Sequence, residues 1–331
     1  MGDIMSKRSL ILSLLSLSLA ACVAAPAVTP TPTPGLRVIR LPVGYIPSVQ
    51  FANLYVAMEK GYFAAEGLEI QPDYSYETNG VQLVGAGELP FAVVSAEQVL
   101  LARAQGLPVR YVMTLFTRFP VAVVSPQGAG IVTPADLRGR VIGVPTLDGA
   151  NFIGLRALLA AAGVDEAEVT IRPIGFNQVE ALAAGQVEAV VVYSNNEPIR
   201  LAAQGETLDV IEVSDHVALA ANGILTSEAT LRDEPELVRA FIRALARATA
   251  DVVADPAGAY ALTKQLVPEL SDDALEQRVL TATIALWETD RPGYADPAAW
   301  EAMQTTLLEA GLLAAPLDLS LAYTNDYLPE P

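Results

Sequence analysis

The chain has 331 residues, a formal net charge of −18 and a hydrophobic fraction of 52%. So acidic a chain has no clustered Lys and Arg with which to neutralise phosphates, which excludes nucleic acid as a partner, and it lacks a polybasic patch for anionic lipid. Its only cysteine, Cys22, has no partner for a disulfide, so apolar burial must hold the fold.

The N-terminus reads as an export signal. Lys7 and Arg8 form a basic start, and Leu10 to Leu19 form an apolar run broken only by serines. That run is short for a membrane span, which needs about 20 residues. Residues 1–21 are expected to be a signal peptide. Their removal takes away Asp3, Lys7 and Arg8 and makes the charge one unit more negative. The tetrad Leu19-Ala20-Ala21-Cys22 resembles a bacterial lipobox, which implies lipidation of Cys22 and membrane attachment through that lipid alone. Met1 to Ser6 also fits a myristoylation pattern, but the apolar run behind it argues for export. Residues 22–35, with Thr29-Pro30-Thr31-Pro32-Thr33-Pro34, form a tether, because alternating proline supports neither helix nor ladder.

The folded part is expected from Leu36. Val38 to Val43 reads as a strand, Phe51 to Lys60 as a helix stopped by Gly61, and Leu68 to Pro72 as a strand. A helix begins near Gly80. Phe91 to Val94 is a strand, Ala96 to Gln105 a helix, and Val109 to Leu115 and Val121 to Ser125 further strands. The alternation predicts α/β layers on a largely parallel sheet.

The same grammar repeats from Thr133, a natural N-cap with Pro134 behind it. Val141 to Val144, Val169 to Ile174 and Ala189 to Tyr193 read as strands, Asn151 to Ala162 and Gln178 to Ala184 as helices, and Asn222 to Ser227 as a last strand. From Asp233 the chain is mainly helical. Arg239, Arg243 and Arg247 make a stripe that reads as a solvated face or as a docking surface.

Several segments together resemble one family. Asn53 to Phe63 with Glu66-Gly67-Leu68, Pro134 to Val144, and Gly185-Gln186-Val187-Glu188-Ala189 are similar to ABC-importer solute-binding proteins of the SsuA/ThiY-like type. Asn195-Asn196-Glu197-Pro198 and Tyr323 to Pro329 resemble its pyrimidine branch. The resemblance implies a two-lobed periplasmic-binding-protein-like fold (type II) with a ligand cleft between lobes. Residues 36–124 plus 223–331 are expected as lobe 1 and 125–222 as lobe 2, with crossings near Val124-Ser125 and Ala221-Asn222.

Ligands of such sheets lie beyond the carboxyl ends of strands. That places Tyr45, Gln50, Phe51, Asn53, Ser95, Gln98 and Thr117 of lobe 1, and Asn151, Phe152, Tyr193, Asn195, Asn196 and Glu197 of lobe 2, as ligand-binding candidates. Each has a plainer reading as core or turn, and Arg118 as a surface pair. Aromatics would sandwich a flat ligand, and Glu197 would accept from its N–H or hydroxyl groups.

Enzyme chemistry finds little support. His216 is the only histidine, and no G-x-S-x-G elbow or phosphate loop is present. No metal site and no cofactor are expected. The family's pyrimidine synthases use a cysteine-rich motif and a histidine, and this chain has no cysteine beyond Cys22. Tyr45 stands where pyrimidine-binding relatives carry an aromatic, but Gly44 replaces the preceding acid. The resemblance is closest to the riboflavin-binding, RibY-like branch, with a thiamine-precursor aminopyrimidine or an alkanesulfonate as alternatives. It implies an exported, lipid-anchored monomer that serves an ABC permease and its ATPase.

Overall fold

The computed structural model describes residues 35–330. The expected signal peptide, Cys22 and the expected tether up to Pro34 lie outside the described residues. Strand β1 (Arg37–Gly44) pairs in parallel with β2 (Leu68–Tyr76). Ile39, Leu41 and Val43 of β1 are buried and Arg40 is exposed, the alternation of a strand with one face on the core. The expected first helix is a 3-10 turn, Val49–Phe51, capped by Ser48, followed by α1 (Ala52–Glu59). Gly61, at φ 70, separates α1 from α2 (Tyr62–Ala65), a left-handed position that glycine fills without a Cβ clash.

Next come α3 (Glu77–Gly85), β3 (Ala92–Ser95), α4 (Ala96–Ala104) and β4 (Val109–Thr114). β3 and β4 do not touch as partners, because β10 (Asn222–Ser227) lies between them, antiparallel to both. Gly223 of β10 has no alternative there, since a Cβ would run into the Tyr111 ring and the Met113 carbonyl.

The second lobe is a five-stranded sheet of order β7-β6-β8-β5-β9. Its strands are β5 (Val121–Pro126), β6 (Val141–Val144), β7 (Thr170–Pro173), β8 (Ala189–Tyr193) and β9 (Leu208–Glu212). Helices α5 (Gly149–Ala161), α6 (Gln178–Ala183) and α7 (Glu197–Ala203) connect them. β6 is parallel to β7 and β8, while β5 is antiparallel to β8 and β9. The sheets are therefore mixed, not largely parallel. In each lobe the reversed strand is the one that enters from the other lobe.

That also moves one expected crossing. Val124-Ser125 lies inside β5, all of which is paired in the second lobe, so the chain leaves the first lobe between Thr114 and Val121. It returns between Glu212 and Asn222.

The C-terminal part adds α8 (Glu228–Asp233), α9 (Pro235–Ala254), α10 (Pro256–Leu266), α11 (Asp273–Trp287) and α12 (Pro297–Glu309) to the first lobe. Proline opens α9, α10 and α12, where its missing N–H costs nothing. Val238, Phe241, Ile242 and Leu245 of α9 are buried, and Phe241 stacks on Phe91 at 4.3 Å. The arginine stripe is a solvated face whose side chains also hold partners within the protein, with Arg243 and Arg247 exposed. Arg243 forks onto Glu66 at 3.0 and 2.7 Å, Arg247 lies 4.0 Å over the Tyr62 ring, and Arg239 lies 4.8 Å over Tyr327. The stripe thus ties α2 and the C-terminal tail to α9.

Candidate functional site

The cleft between the lobes is walled by strand ends and the loops after them. Lobe 1 supplies Tyr45 after β1, Tyr76 and Glu77 at the β2–α3 junction, and Leu115 and Phe116 after β4. Lobe 2 supplies Pro145, Thr146 and Asp148 to Asn151 after β6, Phe176 after β7, and Tyr193 and Glu197 around the end of β8. The space enclosed is about 100 Å³. Pockets for drug-sized ligands run to roughly 300–1,000 Å³, so a ligand of that size needs the lobes to part.

Three aromatic rings meet across the cleft. The Tyr45 ring meets Phe176 edge-on at 4.8 Å, and Tyr76 lies 5.3 Å from Phe176. Tyr45 comes from lobe 1 and Phe176 from lobe 2, so this contact must open to admit another ring.

A polar chain runs beside the rings. The Tyr45 hydroxyl donates to Glu197 Oε1 at 3.0 Å, and the Tyr193 backbone N–H donates to Glu197 Oε2 at 3.0 Å. Asn196 Nδ2 reaches both Tyr45 Oη and Glu197 Oε1 at 3.0 Å. Asn196 Oδ1 accepts from Arg200 Nε at 2.7 Å, and Arg200 then forks onto Glu276 of α11 at 2.8 and 3.0 Å. Burial pushes the Glu197 carboxyl up, while its N–H and hydroxyl donors and Arg200 pull against that. Burial and then the Glu197 charge push the Tyr45 phenol well up, so Tyr45 keeps its proton and remains the donor.

Glu77 makes a second bridge. One of its oxygens accepts the Ser95 N–H in lobe 1, and the other accepts the Ala150 N–H at 3.3 Å, at the N-terminus of α5 in lobe 2. Thr78 Oγ1 donates to Asp148 Oδ2 at 3.0 Å across the same gap. Gly44, at φ 77, and Gly149, at φ 72, let the backbones close on Glu77. A Cβ on Gly44 would stand 3.3 Å from Glu77 Cβ. Burial first, and then Glu97, push the Glu77 carboxyl strongly up. Burial likewise raises Glu97, which accepts from Ser95 Oγ and from Gln98 Nε2.

The cleft gathers seven of the sequence candidates: Tyr45, Gln50, Phe51, Asn53, Asn151, Tyr193 and Glu197. Six are placed elsewhere. Ser95 and Gln98 are buried behind the wall, where both serve Glu97. Asn195 points away and donates to Thr283 at 2.8 Å, and Asn196 stands behind Glu197 as its bridge to Arg200. Phe152, one residue on from Asn151, falls on another helix face beneath Arg156. Thr117 borders a neighbouring groove and donates to the Leu286 carbonyl at 3.1 Å. Arg118 is a surface pair, with Glu212 at 3.4 Å and Asp215 at 3.7 Å.

Tyr76, Glu77, Asp148, Phe176 and Trp287 were not foreseen. The strand-end rule would have found the first four had β2 been carried past Pro72 and the loops after β6 and β7 been included. Trp287, at the end of a helix remote in sequence, carried no such signal. Among the described residues, the cleft wall holds three acids, Glu77, Asp148 and Glu197, and no Lys, Arg or His.

Two α/β lobes enclosing such a cleft define a periplasmic-binding-protein-like fold. The solved alkanesulfonate-binding protein SsuA from Xanthomonas axonopodis pv. citri bound to MOPS superposes with a TM-score of 0.69 at 18% identity, covering 87% of this chain and 98% of that one. The chain belongs to the NMT1/THI5-like family, whose pattern matches residues 48–259. Riboflavin-binding protein RibY of Chloroflexus aurantiacus is 41% identical, covering 89% of this chain and 87% of that protein. The formylaminopyrimidine-binding protein of Halalkalibacterium halodurans is 29% identical, covering 80% and 83%. A 4-amino-5-hydroxymethyl-2-methylpyrimidine phosphate synthase of Legionella pneumophila is 25% identical, covering 84% and 88%.

Proposed function

We propose that this chain is the substrate-binding component of an ABC importer and that it captures riboflavin. One observation carries the choice of ligand class: the cleft is aromatic and acidic, and no cation lines it among the described residues. A neutral planar ring fits between Tyr45, Tyr76 and Phe176, and Glu197 and Asp148 can accept from ring N–H and from sugar-alcohol hydroxyls. The 41% identity to RibY supports riboflavin within that class.

The alternatives fare less well on the same wall. An alkanesulfonate would sit beside three carboxyl groups with no cation to offset it, and the Ala150 N–H at the α5 N-terminus is already held by Glu77. The aminopyrimidine is the nearer rival, since it is also flat and uncharged, and the 29% identical relative binds one by its printed name. A synthase reading lacks the cysteine-rich motif that the family's synthases use.

The protein acts by closure and performs no chemistry on its ligand. The open form admits the ring, and the lobes then close because ligand contacts made from both sides favour the closed form. The closed form is handed to a permease with its ATPase. Cys22, outside the described residues, carries the lipid that holds a monomer at the outer face of the membrane. Incorporation of labelled palmitate that disappears in Cys22→Ala checks the anchor, and labelling that persists contradicts it. Calorimetry with riboflavin, the formylated aminopyrimidine and an alkanesulfonate tests the ligand. Riboflavin is expected to bind most tightly, and preference for either other compound overturns the assignment.

A further inference from the structure

Trp287 closes α11 and is 5% exposed. Its indole Nε1 is buried and has no hydrogen-bond partner among the described residues. A buried indole N–H ordinarily finds an acceptor, so this one calls for an explanation. Three other buried polar side-chain atoms share that condition, on Ser75, Asn195 and Glu212, and none of those residues lines the cleft.

The ring of Trp287 is a wall with two sides. One side borders the cleft, and the other borders a groove of about 1,010 Å³ that also touches Thr249, Glu288 and Asp290. Water enters a groove of that size, so an N–H directed into it would be wetted. Nε1 is not, so it does not open onto that groove, and Trp287 also lines the cleft. On the cleft wall several polar side chains already have partners within the protein. Tyr45 donates to Glu197, Glu77 holds two backbone N–H groups, Asn222 donates to Tyr193 Oη at 3.0 Å, and Asn151 donates to the Val191 carbonyl at 3.0 Å.

We propose that Trp287 Nε1–H donates to a ring carbonyl of the bound flavin, making Trp287 a specificity residue that selects planar heterocycles with an acceptor on the edge facing α11. This rests on the riboflavin reading above. The carboxylates of Glu197 and Asp148 then read donor groups of the ligand, and Trp287 reads an acceptor. A flat hydrocarbon of the same outline would stack but leave the indole N–H unpaired.

The chain has two tryptophans, so an indole-labelled sample gives two Nε1–H resonances, assigned by Trp287→Phe or Trp300→Phe. Riboflavin is added to the full folded chain while calorimetry follows binding. The expected result is a downfield shift of the Trp287 resonance at saturation. With it goes a lowered carbonyl stretching frequency of the bound flavin, which rises again in Trp287→Phe, and affinity about fivefold weaker in that variant, the size of one neutral hydrogen bond. Binding heat with an unmoved Trp287 resonance and an unchanged carbonyl band overturns the inference and leaves the riboflavin reading standing. No heat with riboflavin overturns both. The wild-type resonance carries the test even where the phenylalanine variant fails to fold.

Discussion

At the scale of single residues, the site depends on a few side chains that do two things each. Tyr45 presents a ring to the cleft and a hydroxyl to Glu197. Tyr45→Ala removes both, and riboflavin affinity measured by calorimetry is expected to fall at least tenfold, given about 1 kcal/mol each for an aromatic contact and a hydrogen bond. Unchanged affinity would remove Tyr45 from the site. Glu77 ties stability to pH. Its folded carboxyl is raised above the ordinary 4.5, so the folded chain holds that proton more tightly than the unfolded chain does. Stability from this group is therefore lost as pH rises from weakly acidic towards the raised folded value. Glu77→Gln removes that dependence. Its melting temperature relative to wild type is expected to climb with pH across this range, and a constant difference would contradict the assignment. At this scale the sequence was partly legible. Strand ends pointed to Tyr45, Asn151, Tyr193 and Glu197, because backbone topology alone aims them at the cleft. Asn195 and Asn196 stand at the same strand end, but Asn195 turns to Thr283 of α11 and Asn196 lies behind Glu197 against Arg200, and one residue of helical or turn rotation decides which faces the cleft.

At the scale of elements, the joint between α7 and α11 couples the site to the lobes. Arg200 leaves the Tyr45–Glu197 group and forks onto Glu276, which is only 4% exposed, while Asn195 donates to Thr283 two turns further along the same face. Removing one partner of a largely buried pair leaves a charge without compensation. Glu276→Gln is expected to cost about 3 kcal/mol in urea denaturation, at the lower end for buried pairs because Arg200 keeps some exposure. A change below about 0.5 kcal/mol would mark the pair as a surface contact. Neither α7 nor β9 was read from the sequence. α7 has seven residues, too few for a helical period to show, and Leu208 to Glu212 alternates polar and apolar residues only weakly. β6, β8 and β10 were read to the residue, since short apolar runs bounded by glycine and turn residues are the clearest strand signal. Strand direction was not legible, and β5 and β10 run opposite to the expected sheet, because a hydrophobic run carries no information about which lobe it joins.

At the scale of the molecule, the two lobes meet through contacts that a ligand must replace. Tyr45 with Phe176, Tyr45 with Glu197, Glu77 with Ala150 and Thr78 with Asp148 each join lobe 1 to lobe 2. A ring entering the cleft breaks the aromatic contact and restores it through itself. Closure then follows from what the ligand adds on both sides, with no strain required in either lobe. The lobed architecture was legible from ordered motifs spread along the chain, whereas the contacts that hold the closed form arise between residues 70 or more positions apart. The account stands or falls on the nature of what fills the cleft. Its most direct test is titration of riboflavin with the purified chain, followed by flavin emission and by heat. Saturable quenching with a single-site heat, tighter than for the formylated aminopyrimidine, is the predicted result. Tight aminopyrimidine binding with neither quenching nor heat from riboflavin would contradict it.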